Sequence, residues 1–159
     1  MASIKIWRDP ARLAAKLEEL RGAGRDIVTA NGCFEILHVG HVRYLQAARA
    51  QGDLLVVMVN TDASVGRIKP ERELVVPEAD RMELVAALES VDYVVPLPDD
   101  TPERLLEIFR PAVHAKGTDY DPAAMPETAV VEAHGGRVAI VGGPKQRSST
   151  ELRKKLGDF

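Results

Sequence analysis

The chain has 159 residues, 45% hydrophobic and 28% charged, a balance that fits a folded globular domain rather than a disordered segment. Its formal net charge of −3 leaves no global basic field, which argues against duplex nucleic acid as a main partner. No apolar run approaches the roughly 18 residues of a membrane span, the N-terminus lacks a signal-peptide core, and the lone Cys33 allows no intrachain disulfide, so the expectation is one soluble cytoplasmic domain without membrane partners.

Helical and strand patterns then alternate. Residues 9–24, DPARLAAKLEELRGAG, predict a helix with Leu13, Leu17 and Leu20 on one face. Asp9 is its expected N-cap, Pro10 its first-turn proline, and Gly22 and Gly24 its stop. DIVTANG, 26–32, reads as a short buried strand, and GHVRYLQAARAQGD, 40–53, as a helix with Val42, Leu45 and Ala48 inward. LLVVMVN, 54–60, is a continuous apolar run, as in a strand covered on both faces. A helix opened by Pro77, a strand over 91–97 and a helix with Thr101 as N-cap and Pro102 at its first position follow. A strand over 111–117, a helix from Pro126 to Gly135, a strand over 137–143 and a last helix from Ser148 complete the chain.

This order predicts an α/β fold: a Rossmann-like, five-stranded parallel sheet with helices on both faces. Such sheets take ligands beyond the carboxyl ends of their strands. That rule selects the loops 30–41, 60–76, 116–125 and 142–150, where the unusual residues also fall.

The first of these loops carries NGCFEILHVGH, Asn31 to His41. Cys33, His38 and His41 could form a catalytic metal set if the thiol turned toward the imidazoles. Cys33 could instead be a nucleophile with a histidine base. The phosphate reading uses more of the string. Gly32 lets the chain turn after the strand, and Gly40 opens space for a ligand near the backbone. The following helix aims its N-terminal N–H groups at the same place. His38 and His41, one helical turn apart, can both donate to phosphate oxygens. The plain alternative is that one histidine caps the helix and the other packs.

H-x-G-H at a first strand-to-helix turn resembles the signature of the HIGH-type nucleotidyltransferase superfamily, and NGCFEILHVGHVRYLQAAR resembles its cytidylyltransferase-like branch. SSTELRKKL, Ser148 to Leu156, is similar to that superfamily's second signature, a Ser/Thr-rich turn opening the last helix. Upstream of it, Arg147 stands where the family usually carries a small or apolar residue. VNTDAS, DRMELVAALESVDYVV, DTPERLLEIFRP and KGTDY resemble the heptose 1-phosphate adenylyltransferases, which occur alone or as the C-terminal domain of a bifunctional kinase/adenylyltransferase. A chain of this length has no room for a sugar-kinase domain, so the expected form is the stand-alone one, with residues 1–24 as a helical segment packed on a nucleotidyltransferase domain at 25–159.

The resemblance implies transfer of AMP from ATP to the heptose phosphate, with Mg2+ and with pyrophosphate as the leaving product. It implies catalytic roles for His38, His41 and Lys69. Asn31, Gly32, Cys33, Phe34, Gly40, Arg81, Lys116, Gly117, Asp119, Ser148, Ser149 and Thr150 would hold the nucleotide. Asn60 and Asp62 would meet the second substrate, and the ligands of Mg2+ would be mostly water and substrate rather than protein side chains. It further implies a homodimer. Glycerol 3-phosphate cytidylyltransferase shares both signatures and is the alternative within the superfamily; a nucleotide-binding module without catalysis is the alternative outside it.

Overall fold

The computed structural model describes residues 3–143 and 149–157. Ser148, Lys145 and Arg147 lie outside the described residues. Five parallel strands form one sheet: β1 (Ile27–Gly32), β2 (Leu54–Asn60), β3 (Tyr93–Leu97), β4 (Val113–Lys116) and β5 (Arg137–Ile140). Their order is β3-β2-β1-β4-β5, so the chain winds outward from β1 and then crosses back to lay β4 against β1's other edge. The carboxyl ends of β1 and β4 therefore flank a crevice that neither crossover covers.

Helices α1 (Pro10–Gly22), α2 (Val39–Arg49), α3 (Asp62–Ile68), α4 (Glu78–Ala86), α5 (Glu103–Phe109), α6 (Pro126–Ala133) and α7 (Ser149–Lys155) fill the connections. Alternation along β2 explains how both sheet faces are buried. Leu55, Val57 and Val59 point to one side and meet Leu45 of α2 and Met82 and Val85 of α4. Val56 and Met58 point to the other and meet Leu13 and Leu17 of α1, Leu105 and Phe109 of α5 and Val131 of α6. Every residue of β2 is buried, as its unbroken apolar run requires. The expected α/β, Rossmann-like sheet with helices on both faces is the fold observed.

Local differences have physical causes. The stretch 60–76, read as a loop, contains α3. Thr61 caps it by accepting from the Ser64 N–H at 3.2 Å, and Ser64 donates its hydroxyl to the Asp99 carbonyl at 2.9 Å. Tertiary burial of Ser64 and Val65 stabilises this seven-residue helix, which is too short to hold on propensity alone. Thr101 is not the cap of α5: Pro102 holds that place, and the Thr101 hydroxyl donates to the Glu103 carboxylate instead. The helix expected from Gly40 starts one residue earlier, with His38 as its N-cap.

The N-terminal segment joins the sheet edge. The Trp7 N–H donates to the Val94 carbonyl and the Val94 N–H to that of Lys5, both at 2.8 Å. The Trp7 ring meets Tyr93 edge-on, with centroids 6.0 Å apart. Among the described residues, no helix is long and apolar enough to cross a membrane.

Candidate active site

A cavity of about 400 Å3 opens at the β1–β4 crevice, in the size range of a small-molecule site. All four of the loops singled out by the strand-end rule contribute to its wall.

One wall is the loop between β1 and α2. Here Phe34 takes a left-handed backbone with φ of 50°, which is uncommon for a residue with a side chain. The sharp turn therefore falls on Phe34 and not on Gly32. Gly32 contributes differently: a Cβ there would stand 3.0 Å from the Phe34 ring, so the glycine lets that ring pack close to the strand end. That ring in turn meets His41 edge-on at 5.1 Å.

His38 and His41 cap α2 reciprocally. His38 Nδ1 accepts from the Gly40 N–H at 3.1 Å, and His41 Nδ1 accepts from the His38 N–H at 3.3 Å. The two rings stack with centroids 3.9 Å apart and planes at 24°. An Nδ1 that accepts from a backbone N–H carries no proton in the neutral ring, so Nε2 of each ring is its N–H donor. The capping and ligand-binding readings thus coincide: the cap fixes the tautomer, and both rings line the cavity. Cys33 does not turn toward them. Its thiol faces the Asn60 side-chain oxygen at 3.8 Å, and burial pushes its pKa up, against the nearby Lys69 charge. Neither the metal reading nor the nucleophile reading of this loop gains support from that geometry. Among the described residues, no group of three or more His, Cys, Asp or Glu side chains could hold a metal ion.

A second wall is cationic. Lys69 and Arg72, just after α3, line the cavity with Ser149 and Thr150 of α7. Arg72 donates to Glu35 at 3.2 Å and to the Thr150 hydroxyl. Ser149 donates its hydroxyl to the Ile36 carbonyl at 3.3 Å. Glu35, with a side chain 1% exposed, also faces Lys69 at 4.0 Å and Arg153 at 3.7 Å. Three cations against one carboxylate leave this corner with a positive surplus.

The third wall follows β4. Lys116 donates to the Asn31 side-chain oxygen at 3.3 Å, pairs with Glu127 at 3.6 Å and lies 4.1 Å from the Tyr120 ring centroid. Burial lowers its pKa, and the Glu127 carboxylate opposes that shift. Gly117, Thr118 and Asp119 continue the wall, and Thr118 reaches the Gly143 carbonyl at 3.4 Å. Tyr44 of α2 closes the base by donating to the Ala115 carbonyl at 2.6 Å.

The cavity thus gathers His38, His41 and Lys69 with Asn31, Gly32, Cys33, Phe34, Gly40, Lys116, Gly117, Asp119, Ser149 and Thr150. Three expected contact residues stand elsewhere. Arg81 is fully buried and donates to the carbonyls of Cys33 at 2.6 Å, Asn60 at 2.8 Å and Val76 at 2.9 Å. Asp62 accepts from Arg81 and from the Glu78 N–H, each at 2.8 Å. The Asn60 amide donates to the Ser64 hydroxyl at 2.8 Å. These three brace the ends of β1 and β2 beneath the site. Sequence reasoning missed Glu35, Arg72 and Tyr120 in the lining. The signal for Glu35 was a charge inside the apolar string CFEIL, which calls for a buried partner.

A cytidylyltransferase-like family model matches residues 29–155. The bifunctional protein HldE of Geobacter metallireducens is 47% identical over 144 residues, which are 91% of this chain and 29% of that protein. The bifunctional protein HldE of Halorhodospira halophila is 47% identical over 148 residues, 93% of this chain and 31% of that one. The chain therefore spans about three tenths of the length of these curated relatives. The crystal structure of a lipopolysaccharide core biosynthesis protein from Thermoplasma volcanium matches with a TM-score of 0.64 at 28% identity, over 78% of this chain and all of that one. With its fold, its paired histidines and these matches together, the chain belongs to the cytidylyltransferase-like family of nucleotidyltransferases.

Proposed function

We propose that this chain transfers AMP from MgATP to D-glycero-D-manno-heptose 1-phosphate, giving ADP-heptose and pyrophosphate. The observation that carries the reading is the pair of tautomer-fixed histidines on the wall of a cavity that also holds Lys69, Arg72, Ser149 and Thr150. The likeness to HldE proteins and to a lipopolysaccharide core biosynthesis protein supports the sugar phosphate as acceptor. Both histidines and the Ser149–Thr150 turn are present, which favours an enzyme over a binding module and gives no preference to glycerol 3-phosphate with CTP.

The chemistry needs no covalent enzyme intermediate. An anionic oxygen of the sugar phosphate attacks the α-phosphorus of ATP in line. A new P–O bond forms, the bond to the bridging oxygen of pyrophosphate breaks, and its electron pair leaves with pyrophosphate. No proton must be removed from the nucleophile, so catalysis is positioning and charge stabilisation. The Nε2–H donors of His38 and His41 are suited to oxygens that gain charge as the bond breaks. Lys69, with Ser149 and Thr150, holds the β- and γ-phosphates. Lys116, Gly117 and Asp119, with Asn31, Gly32, Cys33, Phe34 and Gly40, frame the rest of the nucleotide. Arg81 supports the site from beneath.

Mg2+ arrives as part of the substrate. Among the described residues the carboxylates on the cavity wall are Glu35, which already faces three cations, and Asp119, so phosphate oxygens and water would supply most of the ion's ligands. We take residues 25–159 as the catalytic domain, with 1–24 packed on it, in a cytoplasmic homodimer that engages neither nucleic acid nor membrane. The exposed Ile4, Val75 and Leu84 offer apolar surface to a second copy, which light scattering would detect. The function is tested by incubating protein, MgATP and heptose 1-phosphate and following ADP-heptose by mass. One pyrophosphate per ADP-heptose is expected. Full turnover in both His38→Ala and His41→Ala would end the mechanism.

A further inference from the structure

Among the described residues, Glu35 is the carboxylate that faces Lys69, Arg72 and Arg153 at the cationic corner of the cavity. Its side chain is 1% exposed, yet it comes from a loop that lines the site. Its partners come from segments far apart in sequence: Lys69 and Arg72 after α3, and Arg153 in α7, which is itself 8% exposed at the side chain. Among the described residues Glu35 Oε1 accepts no hydrogen bond and Arg153 Nη1 donates none; the two groups face each other at 3.7 Å. The other Arg153 nitrogen, Nη2, donates to the Glu73 carbonyl at 3.0 Å, which ties α7 to the same post-α3 segment.

We propose that Glu35 is a positioning residue: its buried carboxylate is the shared counter-ion that sets where Lys69 and Arg72 stand and prepares the corner for a polyphosphate. This rests on reading the cavity as a nucleotide triphosphate site. The physical reason is electrostatic. Three cations brought within a few ångströms repel one another, and without a central anion their side chains would splay into water. One carboxylate holds them together and still leaves a surplus of two positive charges. Donors already in place when charge arrives need no reorganisation, which is where such sites gain most. The contacts are graded. Arg153 is buried and fixed, Arg72 is bonded to both Glu35 and Thr150, and Lys69, at 4.0 Å and 30% exposed, is held loosely enough to move onto a phosphate.

Inorganic tripolyphosphate with Mg2+ is the probe, because it needs no second substrate. Calorimetric affinity would be compared for wild type, Glu35→Gln, Lys69→Met and the Glu35→Gln/Lys69→Met double variant. Glu35→Gln is expected to bind at least about tenfold more weakly. The double variant should lose little beyond the worse single one, since Glu35 acts through the cation. In turnover, KM for ATP should rise while KM for the sugar phosphate stays put; a merely structural role would lower active fraction at unchanged KM. Should Glu35→Gln fail to fold, Glu35→Met/Arg153→Met removes the buried pair together and leaves no orphaned charge. Affinity within about twofold of wild type in either folded variant, or fully additive losses, would overturn the proposal. A wild type that binds tripolyphosphate but releases no pyrophosphate would sink the catalytic reading alone; one that binds no tripolyphosphate would sink the inference.

Discussion

Arg81→Met removes the guanidinium that braces the floor of the site while keeping most of the aliphatic volume. The side chain is fully buried, and its loss leaves the carbonyls of Cys33, Asn60 and Val76 without this donor. Each abandoned acceptor costs roughly 1–3 kcal/mol, less where water can reach it, as at the half-buried Cys33 and Val76. The Asp62 carboxylate is 41% exposed, so its share is discounted to below about 1 kcal/mol. The expected total is about 3–5 kcal/mol, a large part of the roughly 5–15 kcal/mol that holds a domain folded. In urea this lowers the unfolding midpoint by about 2 M at a slope near 2 kcal/mol/M. The folded variant should also bind nucleotide more weakly, because the Cys33 carbonyl that Arg81 holds belongs to the cavity loop. A stability loss under about 1 kcal/mol together with a large rise in KM for ATP would refute this and make Arg81 a direct ligand.

Three further outcomes follow from the same geometry. His38→Asn keeps a strong N-cap for α2 but removes the Nε2–H donor, so the melting temperature should hold while kcat falls about 100-fold; a parallel loss of both would reduce His38 to a cap. Cys33, its pKa raised by burial, should be alkylated by iodoacetamide with a half-maximal rate above the ordinary thiol range, and MgATP should protect it. A midpoint below pH 8 would contradict the burial argument. His114 is buried against the Thr29 hydroxyl at 2.8 Å, and burial pushes its pKa down to about 3. The unfolded chain then binds the extra proton between about pH 6.5 and 3, so this residue's contribution to stability falls as pH drops through that window. By pH 5 the loss is about 2 kcal/mol, and the stability profile of His114→Gln should be flatter by that amount.

The sheet was legible because each strand is an apolar run closed by a turn residue and each helix carries a face. The longest of these runs, LLVVMV, lies in the strand that is buried along its whole length. The strand-end rule selects the loops that line the cavity. What the sequence hid was long-range. Arg81 looks like a surface residue on a helix, and only the approach of two strand ends explains its burial. Arg72 and Arg153 lie far apart in the chain, and nothing local shows that both meet Glu35. α3 escaped notice because its stability comes from Ser64 packing under the Asp99 carbonyl rather than from helix propensity. The histidines were found through their spacing, but their reciprocal capping, which fixes the tautomers, appears only with coordinates.

The most direct test of the account is pyrophosphate release by the purified protein with Mg2+, offering ATP or CTP with heptose 1-phosphate or glycerol 3-phosphate in all four pairs. Release is expected with ATP and heptose 1-phosphate, at a kcat/KM at least about 100-fold above the other three pairs. Release only with CTP and glycerol 3-phosphate would contradict the proposed substrates, and no release from any pair despite tight nucleotide binding would contradict catalysis itself.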